Sequence, residues 1–176
     1  MRSIDERPTE SVARAGRWLA AGVLLALVVC KAWVGDDAAI TARAVDNLLH
    51  GYGLRWNVSE RVQAFTHPLW ALLLIPAMAS GLSWYAALIG LGLAATTATV
   101  FGLLHLSRRD ALLGSIALSV LAYSRAFVDY STSGLENPLA TCLIAALSRC
   151  SPGVPRRTLT VATEADQNTT LMRPIR

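Results

Sequence analysis

Charged residues are scarce in this chain: Asp, Glu, Lys and Arg make up 16% of its 176 residues, while 53% are hydrophobic. Soluble domains carry about 25% charged residues, so the composition argues against that class. Several uncharged runs reach the roughly 20 residues that cross a bilayer as a helix. The sequence therefore predicts an all-α, polytopic protein of the cell membrane.

Cysteine and histidine are also few, with three of each. They are dispersed and show no metal-ligand spacing, and the cysteines lie in or beside apolar runs, where they are typical of small packing residues. The sequence predicts no metal site and no cofactor. These residues are Cys30, Cys142, Cys150, His50, His67 and His105.

The chain has a net charge of +4, yet no basic patch alternates with aromatic residues, so no nucleic-acid partner is predicted. The excess fits the enrichment of Lys and Arg in cytoplasmic loops. Residues 1–17 are a predicted cytoplasmic basic tail, since they are too long and too acidic for the start of a cleaved signal peptide. The predicted spans are 18–34, 84–106, 111–128 and a short fourth at 138–150.

Residues 35–83 are predicted to form an external loop that contains juxtamembrane helices at about 37–50 and 68–80. The second apolar run is too short for an ordinary span, so it is expected to lie in the interface or to re-enter. If this run does not span the membrane, Arg108 and Arg109 lie on the cytoplasmic side, as the positive-inside rule prefers. Residues 129–138 then form a second external loop, and the Pro- and Thr-rich tail at 151–176 is expected to be disordered.

Asp36 and Asp37 are the strongest local signal, because two adjacent acids stand where an apolar run ends. Either one could cap a helix that ends at Gly51, in a solvated loop. The alternative is catalytic: a carboxylate at the membrane surface can take a proton from an attacking hydroxyl. Glu136 begins another apolar run on the same predicted side, either as a helix N-terminal charge or as a second acid of that site.

Cationic side chains share the first external loop and could stabilise a phosphate leaving group, for which Arg offers a bidentate fork. The alternative is that they only solvate the loop and meet lipid headgroups. These residues are Arg43, Arg55, Arg61 and His67.

Three stretches together resemble a known family: GDDAAITARAVDNLLHGYGLRWN at 35–57, RVQAFTHPLW at 61–70 and SGLENPL at 133–139. They are similar to membrane glycosyltransferases of the C-type fold, and most to the terminal β-(1→2)-arabinofuranosyltransferases of mycobacterial and corynebacterial cell walls. The resemblance covers roughly residues 18–148 and implies that the chain is the N-terminal part of such a fold.

The resemblance implies transfer of a sugar, with inversion at the anomeric carbon, from decaprenyl-phosphoryl-arabinofuranose to a growing polysaccharide. Asp36 or Asp37 would be the base and Glu136 the second acid. His67 would lie near the donor phosphate, and Arg43 and Arg61 are the further candidate cations for it.

The chain departs from the family where Gln63-Ala64 replaces Glu-Gly and where His67 replaces Asn or Ser. The family also has many more spans, and from about Ser148 the resemblance ends. We therefore expect a frameshifted or truncated gene, with a non-catalytic remnant or a partner subunit of a full-length homologue as the alternative function. A small transporter ranks last, because no charge is buried mid-span.

Overall fold

The computed structural model describes residues 6–60, 62 and 67–150, with side chains from residue 10 to residue 148 in these ranges. The described part is helical and has no strands, so the prediction of an all-α chain is confirmed there. Arg61, residues 1–5 and the predicted disordered tail at 151–176 lie outside the described residues. The helices are α1 (Glu6–Cys30), α2 (Asp36–Leu49), α3 (Pro68–Ala79), α4 (Trp84–Leu106), α5 (Ala111–Tyr123), α6 (Arg125–Tyr130) and α7 (Asn137–Cys150).

Two helical stretches, Glu10–Cys30 and Trp84–Arg109, are long and apolar enough to cross a membrane. The first helix runs from Glu6 to Cys30, so residues 6–17 of the predicted tail are helical and continuous with the first predicted span. The Glu, Ala and Arg residues of this part of the tail are strong helix formers, which explains the extension. The shorter apolar helices include α3, whose 12 residues rise only about 18 Å.

The third predicted span, 111–128, is interrupted in the structure. Helix α5 ends at Tyr123 and α6 starts at Arg125. Between them Ser124 has extended backbone angles, and its hydroxyl accepts a hydrogen bond of 3.3 Å from the backbone N–H of Phe127. Serine competes with the helix in this way because its side chain can cap a new one. The stretch predicted as the third span is therefore two helices in the structure.

The buried side chains form two clusters that share α4. One cluster joins α1, α4, α5 and α6, with Leu24 and Leu118 fully enclosed. The other joins α2 and α3 to the first half of α4 and contains Trp70 and Leu88. Helix α1 packs along α5, and α7 along α4. Helices α2 and α3 are thus packed against one end of the bundle.

The ends of α2 decide where its acids lie. Gly35 is the N-cap residue, so Asp36 and Asp37 are the first two helical residues, and the prediction that one of them caps the helix is wrong. At the other end Gly51 has a φ of +83°. The backbone N–H groups of Gly51 and Tyr52 bond to Leu48 and Asn47, a pairing that satisfies the last carbonyls of a helix. Gly51 ends the helix as predicted.

Candidate active site

A short polar turn, residues 131–134, connects α6 to α7, and all four of its residues are buried. Its hydroxyl groups are satisfied locally. The Ser131 hydroxyl donates to the carbonyl of Phe127 at 2.6 Å, and that of Ser133 donates to Tyr130 at 3.2 Å. Buried hydroxyls with such partners are far less costly than unpaired ones. The polar turn is therefore a stable support for whatever packs on it.

The end of α1 and the start of α2 are bonded to this polar turn through the backbone. The N–H of Gly35 donates to the carbonyl of Ser133 at 2.9 Å. The N–H of Trp33 donates to the Thr132 hydroxyl at 3.4 Å, and the Trp33 indole donates to the Asp129 carbonyl at 2.8 Å. The two predicted external loops therefore meet at the same end of the bundle.

Gly134 closes this junction and is required there for two reasons. Its φ is +84°, a region that residues with a Cβ enter at a cost. A Cβ at this position would also lie only 2.5 Å from that of Ala38 on α2. The carbonyl of Gly134 accepts a 2.8 Å hydrogen bond from the buried indole of Trp70 on α3. One glycine thus joins the polar turn to both α2 and α3.

His67 and Glu136 form a direct side-chain link between two of the matched stretches, 61–70 and 133–139. The Nε2 atom of His67 lies 2.9 Å from Oε1 of Glu136, with 48% and 27% of these side chains exposed. His67 is the N-cap residue of α3, and Glu136 directly precedes α7, where its carbonyl accepts from the N–H of Ala140. Because both residues stand at helix starts, their backbone positions are fixed while their side chains stay accessible.

Asp36 and Asp37 begin α2 beside the polar turn, and both are exposed. They are the acidic residues of the first turn of α2, a position where negatively charged side chains interact favourably with the helix dipole. Gly35, directly before them, is bonded to Ser133, three residues before Glu136. The structure therefore brings the three predicted acids to one end of the bundle, with Asp36 and Asp37 open to solvent.

Arg43 is not part of this group of acids. It lies seven residues after Asp36 on α2, about 10 Å along the helix axis. Its guanidinium stacks on the ring of Trp56 at 4.9 Å, and its Nε donates to the Trp56 carbonyl at 3.4 Å. Asn47 holds the same loop through bonds to the carbonyls of Arg55 and Trp56. Arg43 also lines a cavity of about 560 Å³ between α2 and the start of α4.

Sequence reasoning missed the indole contacts that build the site. The indole of Trp33 donates to the carbonyl of Asp129, a contact that no sequence motif indicated. Trp70 was only part of a matched motif, although it is 2% exposed and bonded. The Asn47 side chain had no assigned role. In the described part of the chain, no group of three or more His, Cys, Asp or Glu side chains could hold a metal ion.

Two characterised proteins are similar to the chain over part of its length. It is 37% identical over 115 residues to the terminal beta-(1->2)-arabinofuranosyltransferase of Corynebacterium glutamicum, a match covering 60% of the chain and 16% of that protein. It is 32% identical over 129 residues to the protein of that name from Mycobacterium tuberculosis, covering 66% and 20%. The resemblance to this family is confirmed.

The chain spans at most about a fifth of the length of these relatives, since the matches cover 16% and 20% of them. No protein-family model matches the chain, and no solved structure does. The likeness to the arabinofuranosyltransferases therefore rests on one shared region.

Proposed function

We propose that the chain forms part of a membrane glycosyltransferase of the C-type fold, which transfers an arabinofuranosyl group from a polyprenyl-phosphate donor to a cell-wall polysaccharide on the external face. The main observation is the junction of the two motif regions, through the Gly35–Ser133 hydrogen bond and the His67–Glu136 pair. The two similar arabinofuranosyltransferases support the reaction class.

The proposed reaction is a direct displacement. A hydroxyl oxygen of the acceptor attacks the anomeric carbon of the donor sugar, and the bond from that carbon to the phosphate oxygen breaks. The electron pair of the broken bond leaves with the lipid phosphate, while the hydroxyl proton passes to the carboxylate of Asp36 or Asp37. Both acids are accessible for this role, because they are exposed at the helix start.

His67 and Glu136 are assigned to the phosphate side of the site. The Glu136 carboxylate lies 2.9 Å from the His67 Nε2, so it can accept a hydrogen bond from that nitrogen and fix the orientation of the ring. The Nδ1 edge of the ring then remains for the donor phosphate, to which it would donate a hydrogen bond as charge develops on the leaving oxygen. Arg43 and Arg61 are further candidate cations for the same phosphate.

The test is sugar transfer in membranes of a host that lacks the endogenous enzyme. The full chain is supplied with labelled polyprenyl-phosphate arabinose and a short arabinan acceptor. Replacing the base, by Asp36→Asn or Asp37→Asn, is expected to lower the rate by about 10²–10⁴-fold, the usual contribution of a positioned base. Glu60→Gln is the charge-matched control, since Glu60 is an exposed acid of the same external segment, and it should leave transfer unchanged.

Loss of transfer in only one of the two aspartate variants identifies the base. Unchanged transfer in both variants would rule out an aspartate base. No transfer from wild-type chain that is inserted and abundant would overturn catalysis by this chain alone. In that case co-expression with the Corynebacterium glutamicum relative tests the alternative, a non-catalytic partner subunit, through co-purification of the two proteins.

A further inference from the structure

A second polar region lies at the opposite end of the bundle, where the first part of α1 meets the end of α4 and the start of α5. It encloses a cavity of about 1100 Å³. The charged residues that line it are Glu10, Arg14, Arg17, Arg108, Arg109 and Asp110. The proposed glycosyltransferase chemistry uses none of them, and the inference below is independent of that function.

Arg17 is the unusual member of this group, because it is only 7% exposed. Its Nη1 donates to the carbonyl of Ser107 at 2.9 Å and lies 3.5 Å from that of Leu104, both at the end of α4. Its Nε is buried and has no hydrogen-bond partner among the described residues. Carbonyl dipoles at a helix end favour a cation, but they leave this buried guanidinium without a compensating full charge.

The structure makes room for Arg17 at this position. Gly114 on α5 faces it, and a Cβ there would lie 2.9 Å from the Arg17 Cδ and would collide with the Ser107 side chain. The neighbouring Ser115 hydroxyl donates to the carbonyls of Ala13 and Ala111. Small residues thus allow α1, α4 and α5 to approach closely around a buried charge, which is costly unless it is used.

The acids in the cavity leave a positive excess. Glu10 is paired with Arg14 at 3.0 Å, and Asp110 accepts from the N–H of Leu113 as the N-cap of α5. Arg108 and Arg109 are exposed, and neither makes an ion pair with a residue that the structure describes. Among the side chains that the structure describes, the four arginines of the cavity therefore outnumber its two carboxylates, and the positive end of the α5 dipole adds to this excess.

We propose that this cavity binds the phosphate group of an anionic lipid headgroup. The site lies at the ends of the two helices that are long and apolar enough to cross a membrane. The end of a membrane-crossing helix lies at the depth of the lipid headgroup phosphates. The guanidinium groups match phosphate geometry, and basic pockets between helices on the cytoplasmic side are suited to lipid headgroups. Arg17 lines the cavity from its buried side, and the exposed Arg108 and Arg109 line it toward solvent.

The experiment is native mass spectrometry of the full chain released from lipid nanodiscs. The discs contain phosphatidylcholine with a minor fraction of phosphatidylglycerol. The wild type should retain the anionic lipid. Each of Arg108→Gln and Arg109→Gln should weaken its retention by about fivefold, which corresponds to ~1 kcal/mol for one basic residue at the surface. Both residues are exposed, so the variants are expected to fold, and circular dichroism checks their helicity.

The matched control is Arg125→Gln, which also removes one positive charge. The Arg125 side chain is 95% exposed and belongs to α6, at the other end of the bundle. It should retain the lipid as the wild type does. An equal loss of phosphatidylglycerol retention in Arg125→Gln would overturn the site, since only overall charge would then matter. Equal retention of phosphatidylglycerol and phosphatidylcholine by the wild type would also overturn it. Binding of inorganic phosphate in detergent, lost in the same two variants, with no anionic lipid retained, would overturn the lipid as the source.

Discussion

The indole nitrogen of Trp70 lies 2.8 Å from the carbonyl oxygen of Gly134, and both groups are buried. This hydrogen bond joins α3, which begins within the matched stretch 61–70, to the polar turn, which contains the start of the matched stretch 133–139. Gly134 thus contacts two helices, because Ala38 of α2 packs against it as well. The stability of this end of the bundle and the position of its acids are therefore coupled.

Gly134→Ala is expected to destabilise the chain by about 1–3 kcal/mol, because the new methyl group overpacks against Ala38 and the backbone is held at positive φ. Unfolding by denaturant in detergent measures the change. Gly90→Ala is the control: Gly90 is a helical residue, and a Cβ added there would meet no atom within 4 Å. It should be neutral or slightly stabilising. Equal effects of the two substitutions would contradict the role assigned to Gly134.

Trp70→Phe keeps an aromatic ring but removes the indole N–H, so the carbonyl of Gly134 loses its partner. A buried acceptor left unpaired costs about 1–3 kcal/mol, and the melting temperature should fall accordingly. Trp84→Phe serves as the comparison, because Trp84 is 44% exposed and should change stability little. A Trp70→Phe variant as stable as Trp84→Phe would show that this hydrogen bond is dispensable.

The His67–Glu136 pair can be isolated by a double-mutant cycle with His67→Gln and Glu136→Gln. We expect a coupling of about 0.5–1 kcal/mol in unfolding free energy, the upper part of the range for partly exposed pairs. The reference is the pair His50 and Asp46 on α2, at 3.4 Å and with 64% and 55% of the side chains exposed. Its coupling should be smaller. A larger coupling between His50 and Asp46 than between His67 and Glu136 would contradict this prediction.

Ser124→Ala tests the interruption between α5 and α6. The variant loses the hydroxyl that accepts from the N–H of Phe127, and loss of an N-cap typically costs about 1 kcal/mol. Ser119→Ala, at an exposed position within α5, should be neutral or stabilising. Thermal unfolding of both variants provides the comparison. If Ser124→Ala is the more stable one, one continuous helix is preferred and the cap is unimportant.

The positions of most helices follow from the sequence, because apolar runs and their polar ends are local signals. The meeting of Asp36 and Glu136 at one end also follows, since an even number of predicted crossings separates the first loop from the second. The break at Ser124 does not follow from the sequence in this way. An apolar composition predicts that a segment enters the bilayer, whereas the continuity of its helix depends on backbone hydrogen bonds, with which a serine side chain can compete. Similarly, Arg43 looked available for phosphate, but nothing local indicated that it stacks on Trp56.

The polar turn also determines when the site can form. Trp33 and Thr132, which are bonded to each other, are 99 residues apart in the chain. At a synthesis rate of about 5–20 residues per second, roughly 5–20 s separate the synthesis of Trp33 from that of Thr132. During that interval Asp36 and Asp37 are already synthesised, but the polar turn beside them is not. This end of the bundle can therefore fold only after α6 and the start of α7 have been made.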